Sequence, residues 1–428
     1  MLSIILILGV FLTSCNKEKV THIDSEESLE HAINKEQIIQ YLQKNNSAID
    51  LEDESEFADL AIMDSDIKGK KIFFTGEVHG IKANEELNMK FLKYFKEKTN
   101  FKYYLCETAY SDAYFINKYL ETGDIKILEE IYKPLKGTFA WNKDSYNHWK
   151  KLYEYNKTLP KKKRIQVIGV DIEHQPANAY RFLVDVLPEK EVPKEIKESI
   201  DKIKDTFNNL DKIGYEAILK CSKELQKDIE EKEDIYKEYI GQKFTGFKLV
   251  NMNVLNVEEA YSTRDSSYED WNNTRDKMIY ENFKVIQKEL PKGKYYGQWG
   301  SNHVYQSKEK DIMWFASYLN AEGSEFKDSI LTIIYDYDDC EQMDKLGNGN
   351  YTTNRVNYIN PKIKEANDSL GGNLNIYKLT GENSPFSKVS MSYTFTGEEL
   401  DESMLDFFQY IVCIKNSKAT EPLNDEYD

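Results

Sequence analysis

Seven short runs of β-branched and aromatic residues recur along the chain, at Lys71–Thr75, Phe101–Cys106, Ile165–Val170, Tyr295–Trp299, Ile330–Tyr335, Leu374–Tyr377 and Tyr410–Ile414. Longer amphipathic stretches lie between most of them, and that alternation is the pattern of a parallel sheet joined by crossover helices. The expected fold is therefore α/β: an open, mostly parallel sheet with crossover helices and a helical insertion. The insertion is read at about 189–262, where KEIKESIDKIKDTF and KCSKELQKDIEEKEDIYKEYI carry apolar residues at helical spacing and no strand-like run.

The domain boundaries follow from the same pattern. Residues 69–415 form the α/β domain, preceded by an acidic tether and lead-in at 16–68 with one helix around Lys35–Lys44, and followed by a flexible tail at 416–428 that ends in EPLNDEYD. With 40% apolar residues and only 9 prolines in 428, the chain can bury a large core and falls outside disordered and collagenous compositions.

Residues 1–15 stand apart. MLSIILILGVFLTS is an apolar run of signal-peptide length, too short to span a bilayer comfortably, and it ends in small residues immediately before Cys15. Leu12-Thr13-Ser14-Cys15 resembles a bacterial lipobox, in which the cysteine is acylated and becomes the mature N-terminus. The alternative is an ordinary secretory signal. The lipobox reading places the protein in the bacterial cell envelope, extracytoplasmic, touching the membrane only through the lipid on Cys15. The other cysteines, Cys106, Cys221, Cys340 and Cys413, form no CxxC and read as free thiols, Cys106 and Cys413 buried.

The charge balance excludes one class of partner. With 57 Lys+Arg against 74 Asp+Glu the net charge is −17, and the basic run Lys161-Lys162-Lys163-Arg164 is too short to hold nucleic acid.

Several strand candidates run directly into polar residues. Lys71–Thr75 leads into Gly76-Glu77-Val78-His79-Gly80, Phe101–Cys106 into Glu107, Ile165–Val170 into Asp171, and Tyr295–Trp299 into Gly300-Ser301-Asn302-His303. Ligands of open parallel sheets bind at the carboxyl ends of the strands, so these residues are expected on one rim. Two of the six histidines, His79 and His303, stand at such ends beside glycines that allow close backbone approach. His174 follows Asp171 closely enough to reach the same rim. His22 and His31 fall in the lead-in, and His148 in a helix-like stretch. Tyr110, Phe139, Trp141 and Trp299 are candidates to line a pocket, or simply to pack.

From Trp271 to Phe283 the spacing predicts a helix whose inward stripe carries Trp271, Arg275, Met278 and Asn282. A buried guanidinium must be paired, and the strand-end carboxylates are the obvious partners. Arg275 then either forms a structural ion pair, or holds a substrate oxygen, or positions Glu77 or Glu107. No GxSxG elbow, HExxH helix, P-loop or GxGxxG fingerprint occurs.

Taken together, Gly76-Glu77-Val78-His79-Gly80, then Glu107, then Arg275-Asp276-x-Met278-x-x-x-Asn282, then Gly300-Ser301-Asn302-His303-Val304 resemble the erythromycin esterase family and its wider relatives of the ChaN and TIKI/TraB type. The single residue between Glu77 and His79 is nearer to the ChaN and TIKI form. The resemblance implies a hydrolase with a small-molecule ester, lactone or related carbonyl substrate and no required cofactor. In it His79 activates water, Glu77 and Glu107 orient and charge-balance it, and His303 and Arg275 stabilise the oxyanion or grip the substrate, with Asp171, His174 and Asn302 at the substrate side. Two other readings use the same relatives. Glu77, His79, Glu107 and His303 are a possible divalent-metal set for a TIKI-type metal-dependent protease, and a ChaN-type lipoprotein would bind haem without hydrolysis. No protein partner is indicated.

Overall fold

Along each central strand, successive side chains enter two different apolar layers, which is how a sheet buried on both faces is built. In the computed structural model, which describes residues 35–264, 267–346, 349–392 and 399–427, Phe73, Tyr104, Val167, Tyr296 and Ile333 belong to one layer. Their chain neighbours Ile72, Phe74, Leu105, Ile168, Tyr295 and Ile334 belong to the other.

The strands are β1 (Asn46–Ala48), β2 (Ile72–Glu77), β3 (Tyr103–Ala109), β4 (Gln166–Asp171), β5 (Tyr295–Gly300), β6 (Ile330–Lys345), β7 (Tyr351–Tyr358), β8 (Leu374–Lys378), β9 (Ser390–Ser392), β10 (Glu399–Ser403) and β11 (Tyr410–Lys415). Among the described residues one open sheet runs β1-β8-β11-β6-β2-β5-β3-β4, with β7 pairing on β6, and β9 with β10 forms a separate ribbon. From β11 to β4 every neighbouring pair is parallel. The antiparallel pairs lie at the β1-β8-β11 edge and on the outer half of β6. The fold is the expected α/β architecture. Each of the seven apolar runs is a strand, and β6 continues well beyond the run that announced it.

Between β4 and β5 the chain is helical. Lys197–Asn208, Tyr215–Glu231, Glu233–Ile240 and Phe244–Arg264 occupy the 189–262 stretch, and Tyr268–Glu289 then returns to the sheet. The Ser267 side chain caps that last helix by accepting from Asp270 N at 3.1 Å.

The overhang of β6 shapes the carboxyl edge. Ile330–Ile334 pair with β2, while Tyr337–Lys345 pair with β7 as an arm standing past the strand ends. The arm is fastened to the β2 loop, since Met343 N donates to Gly80 O at 2.8 Å and Gln342 Nε2 donates to His79 O at 2.8 Å. Gly80 sits at φ +89°, where a Cβ would come within 2.4 Å of Met343 O.

Both flanking segments differ from expectation. The lead-in is built into the domain from residue 35 onward, because Lys35–Lys44 buries Ile38, Tyr41 and Leu42, β1 pairs with β8, and Leu60 and Met63 are buried. The tail is likewise held. Ala419 and Pro422 bridge Ile81 and Asn142, Leu423 is buried, and Tyr427 packs on Trp141 and Tyr146. Apolar residues spaced among the charges explain both. Cys106, Cys340 and Cys413 are buried free thiols and Cys221 is half-buried. Among the described residues no helix is long and apolar enough to cross a membrane. Cys15, His22 and His31 lie outside the described residues.

Candidate active site

Glu77 and Asp171 end β2 and β4, Glu107 stands two residues before the end of β3, and His303 stands in the short turn after β5, so four strands deliver polar groups to one place. His79, two residues beyond Glu77, turns back so that Nδ1 meets Glu77 Oε1 in a short contact. Glu77 is itself fixed. Asn84 Nδ2 donates to Glu77 Oε2 at 2.5 Å and to Val78 O at 2.8 Å. Tyr337 OH in turn donates to Asn84 Oδ1 at 2.8 Å and accepts from Val78 N at 2.9 Å. The His79 side chain is 49% exposed, facing the cavity, while that of Glu77 is buried. Beside Glu77, and against the opposing effect of burial, the His79 imidazole is raised to about 9.

Arg275 is the hub on the other side. Its Nη2 donates to Glu107 Oε1 at 2.8 Å and to Asp171 Oδ2 at 2.5 Å, and its Nε donates to Asp171 Oδ1 at 3.1 Å. Burial pushes both carboxyls upward, but His303 and Arg275 hold Glu107 well below the usual carboxylate range, and Arg275 with His174 lowers Asp171. Glu107 Oε2 also accepts from Gly300 N at 2.8 Å.

His303 is held from behind. Its Nδ1 stands 2.8 Å from Asp276 Oδ1, which also accepts from Phe315 N at 2.7 Å. Its Nε2 lies 3.3 Å from Glu107 Oε1 and 3.1 Å from Arg275 Nη1. The ring is buried, which lowers its basicity, but the Asp276 and Glu107 carboxylates raise it to about 10. Its Nε2 has a partner in either state, giving a proton to Glu107 when charged and accepting from Arg275 when neutral.

Gly300 marks the meeting point. A Cβ there would lie 3.3 Å from Glu107 Oε2, 3.5 Å from His303 Cδ2 and 3.7 Å from His79 Cε1. A cavity of about 430 Å³ opens over this centre, lined by Glu77, His79, Glu107, Asp171, His174 and Arg275. That volume suits a drug-sized molecule.

The other expected residues divide. His174 joins the rim, with Nε2 3.2 Å from Asp171 Oδ2 and Nδ1 3.3 Å from Tyr261 OH. Asn302 is turned away, its Nδ2 donating to Tyr268 OH at 3.4 Å, and it does not line the cavity. His303 lies behind the wall. Phe139 and Trp299 line the cavity, whereas Trp141 packs against Tyr427 and Tyr110 faces a separate groove. Of the inward stripe, Trp271 and Asn282 are buried and Asn282 Nδ2 donates to Val170 O at 2.9 Å. Met278 is only half-buried.

Asp276, Asn84 and Tyr337 carry roles that sequence reading did not assign. Asp276 had one signal, since it lies on the buried stripe Asn272, Asp276, Ile279 and Phe283, where a carboxylate demands a partner.

The four donors proposed for a metal do not make a metal site. Arg275 already fills the space between Glu107 and His303, and a cation there would meet a guanidinium 2.8 to 3.1 Å from its ligands. Among the described residues no group of three or more His, Cys, Asp and Glu is arranged to hold a metal ion.

The family model described as erythromycin esterase matches residues 96–311, just over half of the chain. That span includes Glu107, Asp171, Arg275, Asp276 and His303. A solved protein from Bacillus cereus has a TM-score of 0.67 at 17% identity, covering 92% of this chain and all (100%) of that one. A succinoglycan biosynthesis protein has a TM-score of 0.69 at 15% identity, over 90% of this chain and 98% of that one. An erythromycin esterase mutant, EreC, in its open conformation has a TM-score of 0.61 at 11% identity, over 87% of this chain and 97% of that one. No curated protein matches the chain.

Proposed function

Since the chain belongs to the erythromycin esterase family, we propose that it hydrolyses an ester, lactone or related carbonyl substrate through water activated by His79. The observation that carries this is the convergence of two charged assemblies, Glu77–His79 and Glu107–Arg275–Asp171, on the floor of one cavity.

Each group has a task that its surroundings suit. Glu77 holds His79 through Nδ1, leaving Nε2 to take a proton from water. The water oxygen forms the new bond to the carbonyl carbon, and the carbonyl oxygen becomes an oxyanion. Arg275, fixed by two carboxylates and lining the cavity, offers guanidinium charge to that oxygen at no cost in rearrangement. Collapse breaks the bond to the leaving oxygen, and the His79 imidazolium returns its proton to that oxygen. Glu107 and Asp171 keep Arg275 aimed. His303, anchored by Asp276, fixes Glu107 and Arg275 from behind.

We propose further that Cys15 is lipidated and that the enzyme works outside the cytoplasm, anchored in the bacterial envelope. Leu12-Thr13-Ser14-Cys15 supports this. Mass spectrometry of the mature N-terminus in the native host tests it, and an unmodified Cys15 refutes it.

The hydrolytic reading is tested with a panel of esters and lactones against the wild type, His79→Ala and a chelator-treated sample. Turnover lost in His79→Ala and kept after chelation is the expected result. Turnover that survives His79→Ala, or disappears on chelation, overturns it.

A further inference from the structure

The amino end of the sheet, opposite the candidate active site, gathers charge of the other sign. Lys102 immediately precedes β3, Arg164 stands two residues before β4, and Lys294 immediately precedes β5. Backbone bonds join the three loops, since Lys102 N donates to Lys294 O at 2.9 Å and Gln166 N donates to Lys102 O at 3.1 Å. That junction brings Lys102, Lys292, Lys294 and the run Lys161-Lys162-Lys163-Arg164 to one edge. Lys161–Lys163 form a single turn and are exposed, as is Lys292.

The cluster lacks acidic partners. None of its side chains forms an ion pair among the described residues, and Glu97 and Glu289, which flank it in sequence, pair with none of it. Behind it the buried Lys96 Nζ donates to Phe101 O at 2.6 Å. Burial, with the Lys163 charge adding to it, lowers that ammonium to about 8. The chain as a whole carries −17, but β2, β4 and β5 are each six residues long, about 20 Å from end to end. The carboxylates around the cavity thus stand more than a Debye length from this edge at physiological salt. An anion that approaches the edge meets its lysines.

The chemistry of the edge suits an anionic surface. Its charges are mainly ammonium groups on flexible stems, without the rigid fork that fixes one phosphate or carboxylate. The exposed residues among them include Pro160, Gln166 and Pro291, while Tyr103 and Tyr295, next to Lys102 and Lys294, are buried and offer no ring for a base to stack on. A layer of anionic headgroups is held by clustered lysines alone. The proposed lipid on Cys15 would also keep the chain beside such a layer, because residues 16–34 reach at most about 70 Å, which raises the effective concentration of the edge at the surface.

We propose that the amino edge of the sheet, formed by Lys102, residues 161–164, Lys292 and Lys294, is a docking face for an anionic lipid bilayer, and that docking turns the cavity at the opposite edge away from the membrane. This rests on the lipidation reading for the tether, but the face itself does not.

The mature chain from Cys15, left unacylated so that no lipid holds it, is sedimented with vesicles of phosphatidylcholine alone or with about one third phosphatidylglycerol. The wild type is expected to bind the anionic vesicles about a hundredfold or more tightly in about 0.1 M salt, and to lose most of that preference in about 0.5 M. Lys161→Gln, Lys162→Gln and Lys163→Gln together should weaken the binding about a hundredfold, roughly fivefold per lysine, with circular dichroism showing the variant folded. Lys82→Gln, Lys136→Gln and Lys418→Gln together remove the same charge from exposed positions at the cavity's end of the sheet, and should leave binding within about twofold. On the acylated, vesicle-bound chain, acetylation of Lys161–Lys163 by a soluble reagent, read by mass spectrometry, should be slowed while Lys82 and Lys418 react as they do in solution. Equal binding to both vesicles, binding to neither, equal loss in the two variants, protection of Lys82 and Lys418 instead, or soluble polyphosphate bound as tightly as the vesicles overturns the docking face. Anionic binding that persists while Cys15 is found unmodified in the native host overturns the lipid anchor and upholds the face.

Discussion

Replacing Arg275 by methionine tests whether the site is held by charge. The guanidinium makes three hydrogen bonds to carboxylates, one to Glu107 and two to Asp171, and all three side chains are largely buried, at 12%, 15% and 3% exposed. Removing one partner of a buried ion pair costs about 3–5 kcal/mol, because the other charge remains without compensation. Glu107 keeps Gly300 N and His303, so the lower figure, about 3 kcal/mol, is expected. The pH dependence is the sharper part. In the wild type the depressed Glu107 and Asp171 contribute stability above the unfolded value of about 4 and lose it as pH falls through their lower folded values. Without Arg275, Asp171 keeps only His174 and Ile172 N against the upward push of burial, so its carboxyl is expected to rise and the deficit to grow with pH. Urea unfolding of wild type and Arg275→Met at about pH 5 and about pH 8 should show the larger loss at the higher pH. Asp171→Asn added to Arg275→Met should recover part of it. A loss below about 1 kcal/mol at the higher pH, or one independent of pH, refutes the reasoning.

Four further outcomes follow from the geometry. With His79 raised to about 9 by Glu77, the base is protonated at neutral pH, so kcat/KM should rise with pH to a midpoint near that value. A profile already flat by about pH 7.5 contradicts His79 as base. The same raised value means that the Glu77–His79 pair stabilises the fold fully below about 6.5 and ceases to as pH rises through its folded value. Asp276→Asn should lower the titration midpoint of His303, read by NMR of its ring protons, and reduce turnover about a hundredfold. An unmoved midpoint counts against Asp276 as its anchor. Gly80→Ala should cost about 2 kcal/mol or more in urea unfolding, because it combines a positive φ with a backbone clash against Met343, and a neutral result would refute the packing of that loop against β6.

What could be read from the sequence, and what could not, separates by physical range. The central strands are continuous apolar runs because both their faces are buried, so β2 to β6, β8 and β11 announce themselves locally. The outer half of β6, Tyr337–Lys345, is hidden among acidic residues because its buried apolar side chains, Tyr337, Cys340 and Met343, stand apart from one another, and β7 is hidden among threonines and asparagine because it buries only Val356. The Asn-Ser-Ala of β1 is strand only because β8 offers its edge. At the site, Glu77, Glu107 and Asp171 were legible because a strand's end is. The pairing of Glu107 and Asp171 with Arg275 required only that a buried cation find a partner. Asn84 and Tyr337 were not legible, since Tyr337 meets Asn84 from 253 residues away and no local pattern records that distance. Asn302 shares a turn with His303, yet the two side chains leave it in different directions.

The β6–β7 arm has a consequence for how such a protein can diversify. One half of β6 is a core strand, and the other half runs on with β7 past the end of β2 and brings Lys345 to the lining of the cavity. Residues added or removed between β6 and β7 shift the position of Lys345 while every core contact of Ile330–Ile334 is inherited unchanged. Because strand side chains return to the same face at every second position, only changes of two residues on each strand keep the wall's inner surface facing inward. The edge of the cavity at Lys345 can thus be altered in even-numbered steps at one hairpin, with the charged centre copied intact.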